Sequence, residues 1–119
     1  MQEAIIHLPM FDNDGKPIGA IHDWLKRELC KLFGGFTSHH ATGGWIDPTD
    51  EGKVYVEQVR RYIVAASPDF AERNEKLKAL AYEAGLRARQ VAVYWRDFNG
   101  TVSIDYIAPE DLMPTMPNA

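Results

Sequence analysis

The sequence has a single cysteine, no long apolar run and no basic start at its N-terminus. Cys30 cannot form a disulfide within the chain, so nothing in the 119 residues calls for an oxidising compartment. No apolar stretch approaches the roughly 20 residues that span a bilayer, and Met1-Gln2-Glu3 does not resemble a secretory signal. We therefore expect a soluble protein of the cytoplasm with no membrane segment.

Basic residues are also scarce. The chain has 13 Lys and Arg against 17 Asp and Glu, a net charge of -4. Proteins that bind nucleic acid normally carry clustered basic side chains, so this balance disfavours nucleic acid as a partner. A weaker hypothesis, single-stranded RNA stacking on Phe11, Tyr55 and Tyr94, lacks the Lys/Arg-Gly-Phe/Tyr strand motif of known RNA-binding sheets.

Signatures of metal, cofactor and nucleophile sites are absent from the sequence. It has no Cys-x-x-Cys, no His-x-x-x-His and no Gly-x-Ser-x-Gly, and adjacent strand residues such as His39 and His40 point to opposite faces. Gly34-Gly35 follows a helix, where carbonyl groups rather than phosphate-binding N–H groups are presented. We predict no metal and no cofactor, and we interpret the histidines as surface or turn residues.

What the sequence does contain is the pattern of one domain over residues 1–108, followed by a proline-containing tail over 109–119. Apolar periodicity and turn residues predict strands at 3–12, 36–46, 53–66, 89–97 and 102–108. Helices are predicted at 17–33, ending at Gly34, and from a Ser67-Pro68-Asp69 start to about Ala84, with Gly85 near the stop. Gly43-Gly44 indicates a bulge or a place where another backbone comes close.

The order of these elements predicts an α+β fold, a ferredoxin-like βαββαβ sandwich with one additional C-terminal edge strand. Two helices cover only one face of such a sheet. The other face is then expected to expose Ile5, Phe11 and Tyr94, and an apolar surface of that kind indicates a partner. A homodimer is the simplest partner.

Several polar residues occupy positions that the apolar pattern would otherwise fill. Two interpretations stand: a buried ion pair that fixes the register of the fold, or a small pocket in which an Arg binds an anionic ligand and His40 or Glu57 moves a proton. The residues are Glu28, His40, Trp45, Glu57, Arg60 and Arg61.

Short motifs give the chain a resemblance to a group of small bacterial and phage proteins. Phe33-Gly34-Gly35-Phe36-Thr37, the Gly44-Trp45 turn and Tyr55-x-Glu57 match the pattern of that group. The resemblance implies a ferredoxin-like or dimeric α/β-barrel-like fold and brings no established activity. At the level of the fold, the chain is also similar to small dimeric haem-degrading and quinone-forming monooxygenases, whose catalytic motifs match no position here.

Two functions of different classes follow. The first, which we favour from the sequence, is a non-catalytic homo-oligomeric binding or accessory domain that engages a protein or small ligand through the open sheet face or the 43–52 loop. The alternative is a small cofactor-independent enzyme with a pocket between helices and sheet for an apolar or aromatic substrate. Candidate catalytic residues are His40, Glu57 and Arg60; candidate binding residues are Phe11, Glu28, Trp45, Arg61 and Tyr94.

Overall fold

A computed structural model describes residues 1–47, 49–66 and 70–112 of the chain, which form five strands and three helices. In chain order they are β1 (Gln2–Pro9), α1 (Gly19–Phe33), β2 (Thr37–Asp47), β3 (Lys53–Ala66), α2 (Phe70–Arg87), β4 (Ala92–Arg96), β5 (Val102–Tyr106) and α3 (Pro109–Leu112). The predicted helix start at 67–69 and the end of the tail at 113–119 lie outside the described residues.

The strands form one antiparallel sheet in the order β2-β3-β1-β4-β5. The first four strands have the order of a ferredoxin-like sheet, and β5 extends it beside β4. The predicted fold class is therefore confirmed, including the additional edge strand.

Strand β1 is shorter than predicted. It ends at Pro9 because the Asp12 carboxylate accepts hydrogen bonds from the backbone N–H groups of Asp14 and Lys16, both at 2.9 Å, which closes a turn. Phe11 lies beyond the strand and forms an isolated antiparallel bridge with Pro17. The prediction that Phe11 belongs to the first strand is wrong.

Strand β2 is continuous, so the predicted bulge at Gly43-Gly44 is also wrong. The pairing with β3 runs without an interruption from Thr37 opposite Ile63 to Asp47 opposite Lys53. A Cβ added at Gly43 would make only ordinary contacts. Neither a bulge nor a close backbone approach therefore explains this glycine pair.

The core lies between the sheet and helices α1 and α2. Its largest fully buried side chains are Tyr62, Phe98, Ile6, Leu8, Leu25, Leu29 and Leu77. Helix α1 ends as predicted at Gly34, whose φ of 87° is the left-handed conformation that glycine adopts without strain. Cys30 points away from the core and is exposed, as expected from its position on the helix.

Alternation along the strands defines two surfaces, which we call the helix face and the open face. Tyr62 and Val64 of β3 lie on the helix face in the core, whereas Arg61 and Ile63 lie on the open face. Ile5 lies on the open face but is only 6% exposed, so its predicted exposure is wrong, while Tyr94 is exposed as predicted. Other exposed apolar residues of this face are Trp45, Val102, Ile104 and Tyr106.

The beginning of the predicted tail is ordered as helix α3. The Tyr82 hydroxyl of α2 donates a hydrogen bond to the Asp111 carboxylate at 2.6 Å and accepts one from the Ala108 N–H at 3.1 Å. These bonds attach residues 109–112 to the domain, so the expectation of a tail without any element is wrong there. Among the described residues, no helix is long and apolar enough to cross a membrane.

Candidate functional site

A cleft of about 420 Å³ lies on the helix face, beside the N-terminal half of α1. We call it the helix-face cleft. Its size falls within the range of about 300–1,000 Å³ typical of small-molecule sites. It is lined by Met10, Phe11, Pro17, Gly19, His22, Asp23, Lys26 and Arg60.

The connection between β1 and α1 forms one wall of the cleft. The N–H of Met10 donates to the carbonyl of Gln58 at 2.9 Å, and the N–H of Ile18 donates to the carbonyl of Met10 at 3.4 Å. Ile18 is buried, which fixes the start of α1 against the sheet. Phe11 projects from this wall with 48% of its surface exposed, so its ring is available to a ligand.

The back of the cleft is built on a buried histidine. Nε2 of His22 lies 2.8 Å from the carbonyl oxygen of Pro9, and Nδ1 lies 2.6 Å from the Tyr62 hydroxyl. A carbonyl can only accept, so Nε2 carries the hydrogen and Nδ1 accepts the bond that Tyr62 donates. Burial lowers the pKa of His22 and raises the pKa of Tyr62 to about 12, so both groups are neutral near pH 7.

This buried pair predicts how stability depends on pH. The folded pKa of His22 lies below its ordinary value of 6.5, so the unfolded chain binds more protons at acidic pH. The free energy of unfolding should fall as pH drops below 6.5, by about 1.4 kcal/mol for each pKa unit of separation. The pKa of His7 is also lowered, so His7 adds to the dependence of the unfolding free energy on pH. Urea unfolding at several pH values between 5 and 7.5 measures this dependence.

A matched pair of variants isolates the contribution of His22 to that slope. His22→Gln cannot titrate and should flatten the dependence, leaving the part due to His7. His40→Gln replaces an exposed histidine of β2 and is the control for loss of an imidazole outside the core. Equal slopes in the wild type and His22→Gln would show that the buried ring does not govern acid stability.

Charged groups surround the mouth of the cleft. Lys26 and Arg60 bring positive charge and Asp23 brings a carboxylate. Arg60 donates a hydrogen bond from Nη1 to the Ser38 hydroxyl at 3.2 Å, which holds its half-buried side chain toward the helices. The cleft thus combines an apolar wall, one anionic group and two cationic groups, which suits a ligand that has both a planar apolar part and charged parts.

The structure separates the three predicted catalytic residues. Arg60 lines the cleft, and His40 lies directly opposite it on β2, on the same face but exposed and outside the lining. Glu57 pairs with Gly43 and lies on the open face, so it cannot act with Arg60 in one pocket. The single pocket predicted for these three residues is therefore wrong, and their catalytic roles remain predictions.

The predicted buried ion pair does not form. Glu28 lies at the flank of α1, where its carboxylate pairs with Lys31 at 3.4 Å, instead of inside the apolar stripe. Within residues 1–47, 49–66 and 70–112, no carboxylate pairs with Arg60 or Arg61.

Trp45 lies near the tip of the β2–β3 hairpin, away from the cleft. Its ring stacks on Tyr55, with centroids 4.9 Å apart, and the Lys53 ammonium lies 4.8 Å from the Tyr55 centroid. This aromatic pair stiffens the hairpin tip and leaves 48% of Trp45 exposed. Its role in binding stays a prediction.

Four residues in or behind the cleft were not among the candidates chosen from the sequence: His22, Tyr62, Asp23 and Lys26. A signal for His22 was present, since Ile18, His22, Leu25 and Leu29 follow the three- and four-residue spacing of a buried helix stripe. A polar residue in that stripe needs a buried partner, but no sequence pattern identifies Tyr62, 40 residues away, as that partner. Across the described ranges, no group of three or more His, Cys, Asp or Glu side chains is placed to hold a metal ion.

Comparison with known proteins finds similarity in structure only. No protein-family model matches the sequence, and curated proteins give no significant match. The fold is similar to a phage SAM lyase solved in complex with S-methyl-5'-thioadenosine, with a TM-score of 0.62 and 19% identity over 91% of this chain and 89% of that one. The apo structure of a phage SAM lyase gives a TM-score of 0.62 and 18% identity over the same shares.

These comparisons correct the function that we favoured from the sequence. Both of these solved structures are of a phage SAM lyase, an enzyme, and one of them holds a small-molecule ligand, which contradicts a non-catalytic binding or accessory domain. The alternative, an enzyme with a pocket between helices and sheet, agrees better with this finding.

Proposed function

We propose that the protein is a small enzyme that binds an adenosyl sulfur compound, of the class of S-adenosylmethionine and S-methyl-5'-thioadenosine, in the helix-face cleft. The observation that carries the proposal is the cleft itself, about 420 Å³ with an aromatic wall and charges of both signs, in a fold similar to that of a SAM lyase. Fold similarity at 19% identity transfers no residues, so the assignment of groups rests on the cleft.

The groups of the cleft match the parts of such a ligand. Phe11 and Met10 offer an aromatic and a thioether surface for a purine and for the sulfur substituents. Asp23 can accept hydrogen bonds from ribose hydroxyls or attract a sulfonium cation. Lys26 and Arg60 supply positive charge for the carboxylate of the amino-acid portion, and Arg can bind a carboxylate through two parallel hydrogen bonds.

The reaction class we propose is cleavage of a carbon–sulfur bond without added water. In S-adenosylmethionine the sulfur is a cation, so the electrons of the breaking bond return to it and the leaving group is the neutral thioether S-methyl-5'-thioadenosine. The bond that breaks joins the sulfur to Cγ of the amino-acid portion, and a Cβ–Cγ double bond forms there. The proton that Cβ loses goes to Asp23, the anionic group in the cleft that can accept it. His22 does not take the proton, since both its ring nitrogens are already hydrogen-bonded.

Two measurements test this function. Incubation of the purified protein with S-adenosylmethionine should release S-methyl-5'-thioadenosine, detected by chromatography. S-methyl-5'-thioadenosine should also raise the melting temperature more than adenosine does, because only the former fills the thioether end of the cleft. Binding of S-methyl-5'-thioadenosine without its release from S-adenosylmethionine would overturn the lyase reaction but keep the ligand class. If S-adenosylmethionine is not cleaved and S-methyl-5'-thioadenosine does not bind, the reaction and the ligand class are both overturned.

The proposal also includes a homodimer, membership of a group of small bacterial and phage proteins, and a cytoplasmic location. Exposed apolar residues on the open face, such as Ile104 and Tyr106, support a homodimer, which light scattering measures directly.

The motifs around Gly34 and Trp45, with phage proteins of similar fold, support membership of a group of small bacterial and phage proteins. A free, exposed Cys30 agrees with a cytoplasmic location.

A further inference from the structure

Helix α1 carries two of the charged groups of the helix-face cleft, Asp23 and Lys26, while Arg60 belongs to strand β3. The helix packs on the sheet through apolar side chains such as Leu25 and Leu29, both fully buried. Apolar contacts have no preferred direction, whereas hydrogen bonds depend on both distance and angle. Hydrogen bonds between α1 and the sheet therefore define the position of the helix more sharply than the apolar contacts do.

His22 makes two such bonds. It is 4% exposed, directly precedes Asp23 in α1 and lies one turn before Lys26. Its Nε2 lies 2.8 Å from the carbonyl oxygen of Pro9, the last residue of β1. Its Nδ1 lies 2.6 Å from the hydroxyl of Tyr62, which belongs to β3. One side chain of the helix is therefore held by two strands, next to the charged groups that α1 contributes to the cleft.

Tyr62 connects these bonds to the arginine of the cleft. It follows Arg60 by two positions on β3, so both side chains lie on the helix face. The Tyr62 side chain is 1% exposed, and its ring meets the Phe36 ring edge-on with centroids 5.7 Å apart, which fixes the place of the hydroxyl. Neither this hydroxyl nor the His22 ring takes part in the proton transfer assigned to Asp23. Their place behind the cleft suits them to align the groups that do act on the substrate.

We propose that Tyr62 and His22 are positioning residues for the cleavage of S-adenosylmethionine. Their hydrogen bonds hold α1 where the Asp23 carboxylate meets a substrate bound by Arg60. The inference rests on the proposed function, because it needs Asp23 as the proton acceptor. Proton transfer requires the reacting atoms to lie about 3–3.5 Å apart, and a displacement of about 1 Å can lower the rate by about 100-fold. Loss of either bond should therefore affect the chemical step more than the binding of the nucleoside.

Tyr62→Phe removes one hydroxyl, keeps the ring and should lower kcat by about 10- to 100-fold. The affinity for S-methyl-5'-thioadenosine should change by less than about threefold, because Phe11 and Met10 of the cleft wall are not part of α1. In the double variant with Asp23→Asn, kcat should equal that of Asp23→Asn alone, since no carboxylate is left to position. Losses that multiply would mean that Tyr62 acts independently of Asp23, which would overturn the proposal.

The position of α1 can also be measured without a substrate. Residual dipolar couplings of the N–H groups of α1 report its orientation in the free protein, and Tyr62→Phe should change them. His22→Asn is too short to reach both Pro9 and Tyr62, so it should change the same couplings and serves if Tyr62→Phe does not fold.

Tyr82→Phe is the matched control for these measurements. It removes a tyrosine hydroxyl that bonds to Asp111 and Ala108 outside the lining of the cleft, so it should leave the couplings of α1 and kcat unchanged. Unchanged couplings in Tyr62→Phe would overturn the positioning role whether or not the protein cleaves S-adenosylmethionine. Changed couplings together with a wild type that does not cleave S-adenosylmethionine would instead overturn the reaction, while Tyr62 would still position the helix.

Discussion

Gly85→Ala should lower the free energy of unfolding by about 2–3 kcal/mol, although alanine is the better helix former by about 1 kcal/mol. Gly85 lies inside α2 and is buried, and a Cβ there would sit 2.2 Å from Cγ1 of Val93 and 3.2 Å from Cδ1 of Ile107. Because the core is close-packed, strand β4 and the segment after β5 must shift to admit one methyl group. Thermal unfolding should show a melting temperature lower by about 10 °C.

Two further variants tie this effect to the contact. Val93→Ala in the Gly85→Ala background removes the nearest atom and should restore part of the lost stability, although Val93→Ala alone is destabilising. Gly19→Ala is the matched control, since Gly19 also lies in a helix and a Cβ there has nothing within 4 Å. A Gly85→Ala protein as stable as the wild type would mean that the helix does not approach β4 as closely as described.

Arg60→Ala should raise the KM for S-adenosylmethionine by about 10- to 100-fold while changing the affinity for S-methyl-5'-thioadenosine by less than about threefold. Charge-assisted hydrogen bonds contribute about 1.5–3 kcal/mol, and only the first compound carries the carboxylate that Arg60 is proposed to bind. The position of Arg60 in the cleft, held toward the helices by Ser38, is the structural basis. Steady-state kinetics and calorimetry measure the two effects.

The comparison between the two ligands separates substrate recognition from general damage. A variant that is merely misfolded loses both ligands together, whereas Arg60→Lys should keep part of the carboxylate affinity. Arg27→Ala, on the exposed side of α1, should behave as the wild type. Equal losses for both ligands in a folded Arg60→Ala protein would contradict the assignment of Arg60.

Local signals in the sequence were sufficient for the element order and most element ends. Gly34 ends α1 where predicted, and Lys53–Ala66 is the strand that its composition indicates. Gly85 shows where such signals mislead, because glycine serves both as a helix stop and as a place of close packing. Helix α2 continues to Arg87, and only the position of β4 against it reveals which of the two applies.

The cleft could be predicted only in part. Arg60 and Phe11 were chosen from the sequence and both line it, but Phe11 was assigned to the wrong face, since the turn at Asp12 ends the strand early. His40 and Glu57 were grouped with Arg60 because all three are polar residues at positions that the apolar pattern would otherwise fill. The register of β2 against β3 places Glu57 on the opposite surface.

The sequence by itself determined the α+β class, the ferredoxin-like order and the ends of most elements, since caps, turns and apolar periodicity act over a few residues. Only the tertiary structure decided which distant side chains meet: His22 with Tyr62, and His7 with Arg61. Neighbouring strand residues point to opposite faces, so Arg60 and Arg61, adjacent in the chain, line different cavities. That separation depends on strand register and helix placement, which long-range packing sets.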